Sequence, residues 1–165
     1  MKLVCKTIAT PLGPMLLAAS DAGLAGLWFE DQRHHPNASA WQAVKSQRWL
    51  DPSEEELQAY FRCECRHFKT PRAAASGTPF QRSVWEALVA IPWGATTSYG
   101  ALAAQLHQPL AARAVGAAVG RNPWSIVVPC HRVLGANGSL TGYAGGLARK
   151  QDLLALEGLL PRSPR

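Results

Sequence analysis

A chain of 165 residues can form one domain or two small ones, and its 47% apolar composition is that of a globular protein rather than a disordered one. Its formal charge of +6 is unevenly placed: 9 basic and 8 acidic residues precede Gly77, net +1, whereas 8 basic and 3 acidic lie from Gly77 onward, net +5. No run of 18 apolar residues marks a membrane-spanning helix, and the start, Met1-Lys2-Leu3-Val4-Cys5-Lys6, lacks a signal peptide's apolar core, so a cytoplasmic protein without membrane contact is expected.

The first half opens like a small antiparallel sheet. Lys2 to Ala9, Met15 to Ala19 and Leu24 to Phe29 read as strands, separated by Thr10-Pro11-Leu12-Gly13-Pro14 and Asp21-Ala22-Gly23. Asp51-Pro52 and Ser53-x-x-Glu56 both signal a helix start, with Leu57, Tyr60 and Phe61 as its apolar stripe. Arg72 to Gly77 reads as a linker.

The second half is mostly helical. Thr78-Pro79-Phe80-Gln81 combines an N-cap, a proline at the first helical position and a capping-box glutamine, and Phe80, Val84 and Leu88 recur at helical spacing until Ile91-Pro92-Trp93-Gly94. Ser98 caps a short helix holding Tyr99, Leu102 and Leu106; His107 to Leu110 then connects to a helix from about Ala111 to Val119. Two short helices so joined fit a helix-turn-helix.

Of four cysteines, Cys5, Cys63, Cys65 and Cys130, none is expected in a disulfide in a reducing compartment. Cys63-Glu64-Cys65-Arg66-His67 lacks zinc-finger spacing, so no metal and no cofactor are expected. Cys130 differs in its surroundings: Ile126-Val127-Val128 reads as a buried strand, Pro129 stops it, and His131 and Arg132 follow. A thiol attacks only as its thiolate, which needs a cation or base nearby. Adjacency alone leaves a small buried hydrophobe and a nucleophile about equally favoured.

The flanks decide between them. Downstream lie Gly138 to Leu147, Arg149-Lys150 and Leu153-Leu154-Ala155-Leu156-Glu157-Gly158; upstream lie Ser98-Tyr99-Gly100, Ala111-Ala112-Arg113-Ala114-Val115-Gly116 and Asn122-Pro123. Together with Pro129-Cys130-His131-Arg132 these resemble the O6-alkylguanine-DNA alkyltransferases (methylated-DNA–protein-cysteine methyltransferases) from about Gly77 to Leu160, while the first half resembles that family loosely.

The resemblance implies an α/β protein. Residues 1–76 would form a small ribonuclease H-like sheet-and-helix domain with its linker; residues 77–165 would form a helical DNA-binding and alkyl-acceptor domain with a winged-helix-type helix-turn-helix. It also implies irreversible, single-turnover repair of O6-alkylguanine, and of O4-alkylthymine as a second substrate. A monomer would bind the minor groove of double-stranded DNA. Cys130 would take the alkyl group; His131 would remove the thiol proton through a water; Glu157 would orient the imidazole; Asn122 would hold that water and the thiol's loop; Tyr99 would donate to N3 of the leaving guanine. Tyr143, Ala144, Gly145, Val133 and Lys150 would line the substrate pocket, Ala144 through its backbone N–H because it has no hydroxyl.

Arg113, Ala111, Ala112, Ala114, Gly116 and Ser98 would face DNA, with Arg113 filling the space of an extruded base. Chemistry supports that division. The helix from Ala111 to Val119 has almost nothing to read base edges, but its small side chains permit close backbone approach. Two rivals differ in class. A lesion-binding module without catalysis would lack Cys130, and a cysteine hydrolase using Cys-His-Glu would leave the arginine-bearing helix unexplained and shows no oxyanion-hole motif.

Overall fold

A computed structural model describes residues 2–161. The chain divides into two compact units, one running to Ser76 and joined by Pro123–Val127, the other comprising Gly77–Asn122 and the residues from Val128 onward.

The first unit is built on three antiparallel strands where the alternation and turn residues place them: β1 (Val4–Ile8), β2 (Met15–Ser20) and β3 (Gly23–Phe29). A two-residue strand, β4 (Gln42–Ala43), pairs parallel with β1 and gives the order β3-β2-β1-β4. Every residue of β2 is buried. Its Leu16 and Ala18 join Cys5 and Trp28 in one cluster, which Ala25, Ala38 and Trp41 partly cover. Met15, Leu17, Leu57 and Tyr60 are fully buried.

Helix α1 (Leu50–Phe61) forms where expected, but its start is different. The Ser53-Glu56 capping box does not form: Ser53 Oγ donates back to the Trp49 carbonyl at 2.7 Å, and Glu56 accepts from the backbone of Lys69 and Thr70 instead. Arg72 makes a parallel bridge to Leu24 and Ala73 is buried, so the expected linker is partly ordered structure.

The run Ile126-Val127-Val128 is not a strand. Residues just before it take the strand's place: Leu27 N–H donates to the Pro123 carbonyl at 2.9 Å, and Ser125 N–H donates to the Leu27 carbonyl at 3.1 Å. The close approach depends on Gly26, where a Cβ would lie 2.7 Å from the Pro123 oxygen and 2.2 Å from the Trp28 ring. Ile126 then takes φ +72°, a left-handed conformation that is rare for a β-branched residue and turns the chain. A short apolar run cannot by itself distinguish strand from buried turn.

In the second unit, α2 (Pro79–Val89) starts at the expected capping box, with Thr78 Oγ1 and Gln81 Oε1 each accepting the other residue's backbone N–H. Strand β5 (Thr97–Ser98) leads into α3 (Tyr99–Gln105), whose N-cap Ser98 accepts from Ala101 N–H, and α4 (Ala112–Gly120) follows. Val115, Ala118 and Val119 bury one side of α4, and Trp85 Nε1 on α2 donates to the Ala118 carbonyl at 2.8 Å. Past the nucleophile region, β6 (Val133–Leu134) pairs parallel with β5, and α5 (Leu147–Leu156) ends the fold. The β5–β6 pair sets Ser98 opposite Leu134, which brings the start of α3 beside the segment carrying Cys130.

Candidate active site

Cys130 opens a 3-10 turn, Cys130–Arg132, rather than ending a strand. Its side chain is buried, and burial pushes the thiol up. Working against burial are a hydrogen bond from the Asn122 side chain, the charge of Lys150, and the backbone N–H groups of Cys130 and His131. These donors would stabilise a sulfur anion. Asn122 Nδ2 also donates to the Val128 carbonyl at 2.8 Å, so one buried amide ties together the residues flanking the 123–127 excursion and reaches the thiol.

His131 is fully buried, and its Nε2 lies 2.8 Å from Glu157 Oε1. Burial pushes the imidazole down, opposed by Glu157 and assisted by the positive charges of Arg132 and Lys150. The resting ring is therefore neutral near pH 7, with the Nε2 proton directed to the carboxylate and Nδ1 as its basic nitrogen. Glu157 is the C-cap of α5, where the helix dipole disfavours an anion. Burial would raise its pKa, but hydrogen bonds from His131 and Arg132 outweigh that and hold it at about 2.

Arg132 was legible in the sequence only as a neighbouring cation. In the structure it is buried and donates from Nε to Glu157 Oε2 and from Nη2 to Oε1, both at 2.8 Å, with Nη1 on the Ile91 carbonyl. No local spacing signals this contact between residues 25 positions apart.

Of the residues expected to line the pocket, Lys150 and Val133 meet directly, and Lys150 and Tyr143 are both close enough to Cys130 to feel its charge. Lys150 has no exposed surface; its Nζ donates to the carbonyls of Val133, Thr141 and Gly142 at 2.5, 3.0 and 3.1 Å. Burial pulls it down to about 8, opposed by Cys130. Tyr99 Oη donates to the Thr141 carbonyl at 3.0 Å, and Lys150 Nζ stands 5.8 Å from the Tyr99 ring centroid. Gly142 has φ +55°, and a Cβ there would lie 3.7 Å from Tyr99 Oη, so glycine suits this position through its backbone rather than for space.

Val133 is buried, while Tyr143, Ala144 and Gly145 are half-buried in the following loop. The Tyr143 hydroxyl itself is buried without a hydrogen-bond partner, and burial, reinforced by Cys130, pushes it well up. Of the residues expected to meet DNA, Ala112, Arg113, Ala114 and Gly116 lie on α4, while Ala111 and Ser98 stand at the N-caps of α4 and α3. Arg113 and Ala114 are exposed, and Ala111, Ala112 and Gly116 are half-exposed. Gly116 faces the Tyr99 ring, where a Cβ would sit 3.6 Å away. Ser98 has a structural task as the N-cap of α3. Cys63 and Cys65 lie outside the site's unit, and no group of three or more His, Cys, Asp or Glu among the described residues could hold a metal.

Family models match both parts of the chain: the ribonuclease-like domain of 6-O-methylguanine DNA methyltransferase over residues 3–73, and its DNA-binding domain over residues 79–159. The chain belongs to the 6-O-methylguanine DNA methyltransferase family. A methylated-DNA–protein-cysteine methyltransferase of Mycolicibacterium paratuberculosis is 49% identical over 92% of this chain and 90% of its own length. One from Salmonella typhimurium is 46% identical over 97% and 98%. A crystal structure of Mycobacterium tuberculosis OGT in complex with DNA matches with TM-score 0.86 at 42% identity, covering 98% of this chain and 96% of that one. The mixed α/β architecture, a sheet unit followed by a helical unit, is that of this methyltransferase family.

Proposed function

We propose that the protein is a single-use repair methyltransferase that moves the alkyl group of O6-alkylguanine in DNA onto Cys130. The observation that carries this reading is the buried relay of Cys130, His131 and Glu157, with His131 Nε2 2.8 Å from the carboxylate. The methyltransferase family supplies the reaction class. In the step, His131 takes the thiol proton through a water, the sulfur attacks the alkyl carbon, an S–C bond forms and the C–O6 bond breaks with its electrons passing to the purine. Tyr99 passes its proton to N3 as that charge develops and is reprotonated, through solvent, at the expense of the proton that His131 took, so one proton leaves sulfur and one reaches the purine. The thioether has no easy leaving route, and no second thiol stands in the motif to resolve it.

Duplex DNA is the proposed partner, bound through the minor groove by a monomer. Exposed Arg113 on a helix of small residues supports this arrangement, as does the basic balance of the second half. Arg113 would occupy the gap left by the flipped nucleotide, and Tyr143, Ala144, Gly145, Val133 and Lys150 would bound the pocket that receives it. O4-alkylthymine is a second substrate in this reading, and the cytoplasm is the compartment. No helix among the described residues is long and apolar enough to cross a membrane.

Incubation with a duplex containing one O6-methylguanine, followed by intact-mass measurement and peptide mapping, tests the proposal. One added methyl group on Cys130 is expected. Methyl on Cys5, Cys63 or Cys65, or repeated turnover with excess damaged DNA, would overturn it.

A further inference from the structure

We propose that Arg132 is a positioning residue of this site: its fork clamps and neutralises Glu157, and so fixes His131 as a neutral base instead of a standing cation. The inference rests on the reading of Cys130 as acceptor and adds a residue that the relay of thiol, imidazole and carboxylate does not include.

The geometry is a buried three-residue cluster with two permanent charges. Arg132 places Nε on one carboxylate oxygen and Nη2 on the other, each at 2.8 Å, the two-point pairing for which a planar guanidinium is suited. Its third donor, Nη1, is fixed on the Ile91 carbonyl just beyond α2, so the fork cannot swing away without leaving that oxygen unpaired. Glu157 Oε1 is shared between Arg132 Nη2 and His131 Nε2. The side chains of His131 and Glu157 have no exposed surface, so water cannot screen their charges.

Consider the cluster without the guanidinium. A buried carboxylate at a helix C-terminus would then draw on the imidazole 2.8 Å away to balance its charge. That imidazole would be drawn into its protonated form, and an imidazolium cannot take a proton from a thiol. The charged and titratable groups facing His131 are Glu157 and Lys150 from α5, with Cys130 and Arg132 from its own turn. Burial, Arg132 and Lys150 favour the neutral ring, and Glu157 favours the charged one. Removing Arg132 deletes one neutralising influence and also leaves the opposing carboxylate uncompensated. A merely structural staple would not couple to the proton on His131.

Two full-length variants separate these roles. Arg132→Gln loses the charge but retains an N–H for the carboxylate, and Arg132→Lys keeps the charge but loses the fork. The readouts are His131 titration by side-chain 15N NMR and the rate of reaction with free O6-benzylguanine between pH 5 and 9. In Arg132→Gln the His131 midpoint should rise by about one pH unit or more, and the acid limb of the rate profile should move with it. At pH values below both midpoints the rate relative to wild type should fall by about tenfold for each unit of rise, since each unit is there a factor of ten in the neutral fraction, and it should recover above them. Arg132→Lys should keep its midpoint close to wild type.

Should Arg132→Gln fail to fold, the double variant Arg132→Met with Glu157→Gln removes both buried charges together. Its His131 should show no rise, whereas a raised midpoint there would overturn the proposal. An unmoved titration in Arg132→Gln, with a loss of rate equal at every pH, would also overturn it. Alkylation of a cysteine other than Cys130 would instead sink the acceptor reading on which the proposal rests.

Discussion

Glu157→Gln is the most informative single substitution, because the carboxylate is held by partners that an amide cannot satisfy. Oε1 accepts from His131 Nε2 and Arg132 Nη2, and Oε2 accepts from Arg132 Nε. In either orientation of the amide, its NH2 group faces an N–H of Arg132. With the carbonyl oxygen at Oε1 it opposes Nε; flipped, it opposes Nη2 and also meets His131. The flipped form would make His131 Nε2 an acceptor and put the ring proton on Nδ1, the wrong tautomer for taking the thiol proton. The drop from 4.5 to about 2 in the Glu157 pKa corresponds to about 3 kcal/mol. Loss of one partner from a buried ion pair costs about 3–5 kcal/mol, in agreement.

The pH dependence has a definite sign. A depressed carboxylate stabilises the fold fully above its unfolded pKa near 4.5, and that contribution fades as pH falls toward 2. Thermal or urea unfolding should therefore show a wild-type advantage of about 3 kcal/mol at pH 7 that shrinks to about 1 kcal/mol at pH 3. Single-turnover alkyl transfer at pH 7 should slow by about 10²–10⁴-fold, the span for loss of a positioned base. A variant that melts with wild-type stability at pH 7 and transfers methyl at the wild-type rate would refute the reasoning.

Three other outcomes are expected. Cys130→Ser should show no mass gain with methylated DNA while still binding the duplex in a mobility-shift assay, since a hydroxyl is a far weaker nucleophile at neutral pH. Arg113→Ala should slow repair of duplex DNA strongly but reaction with free O6-benzylguanine little, because the free base needs no flipping; equal slowing would mean a folding role. Lys150→Met should lower the melting temperature, since three carbonyls lose a charged donor and each such loss costs about 1–3 kcal/mol when no other donor replaces it. An unchanged melting point would show that the loop finds other donors.

What the sequence disclosed was local. Thr78, Pro79 and Gln81 specify the start of α2 within four residues, and Ser98 caps α3 in the same way. The contrast with Ser53 and Glu56 shows the limit: the same pattern falls inside the first turns of α1, where Ser53 bonds back to Trp49 and Glu56 is drawn away to Lys69 and Thr70 by a contact 13 residues off. Ile126-Val127-Val128 failed as a strand because Pro123–Ser125 already pairs with β3, and apolar character alone cannot say which segment wins. At the site, Cys130 and His131 were visible because they are adjacent, and Glu157, Asn122, Tyr99 and Lys150 entered by family resemblance. The structure places them with Cys130 in one unit. The fork of Arg132 was not visible, since nothing local in Cys-His-Arg says which carboxylate the arginine meets.

The electrostatics bear on why such an acceptor survives until it meets its lesion. Exposed, low-pKa cysteines react with many oxidants, because they are thiolate at rest. Cys130 has the opposite setting: burial raises the thiol and lowers His131, so the resting pair is neutral. Yet the stabilisers of the anion are already in place, namely the Asn122 amide, two backbone N–H groups and the Lys150 charge. None of them has to be assembled when the proton leaves, so the reorganisation that water would require is avoided. The thiolate becomes favourable only as its charge begins to pass to an alkyl carbon with a leaving purine behind it. For an acceptor that the proposed chemistry consumes, suppressing the resting thiolate matters as much as stabilising the reacting one, and the same burial that gives His131 its neutral form also keeps Cys130 protonated.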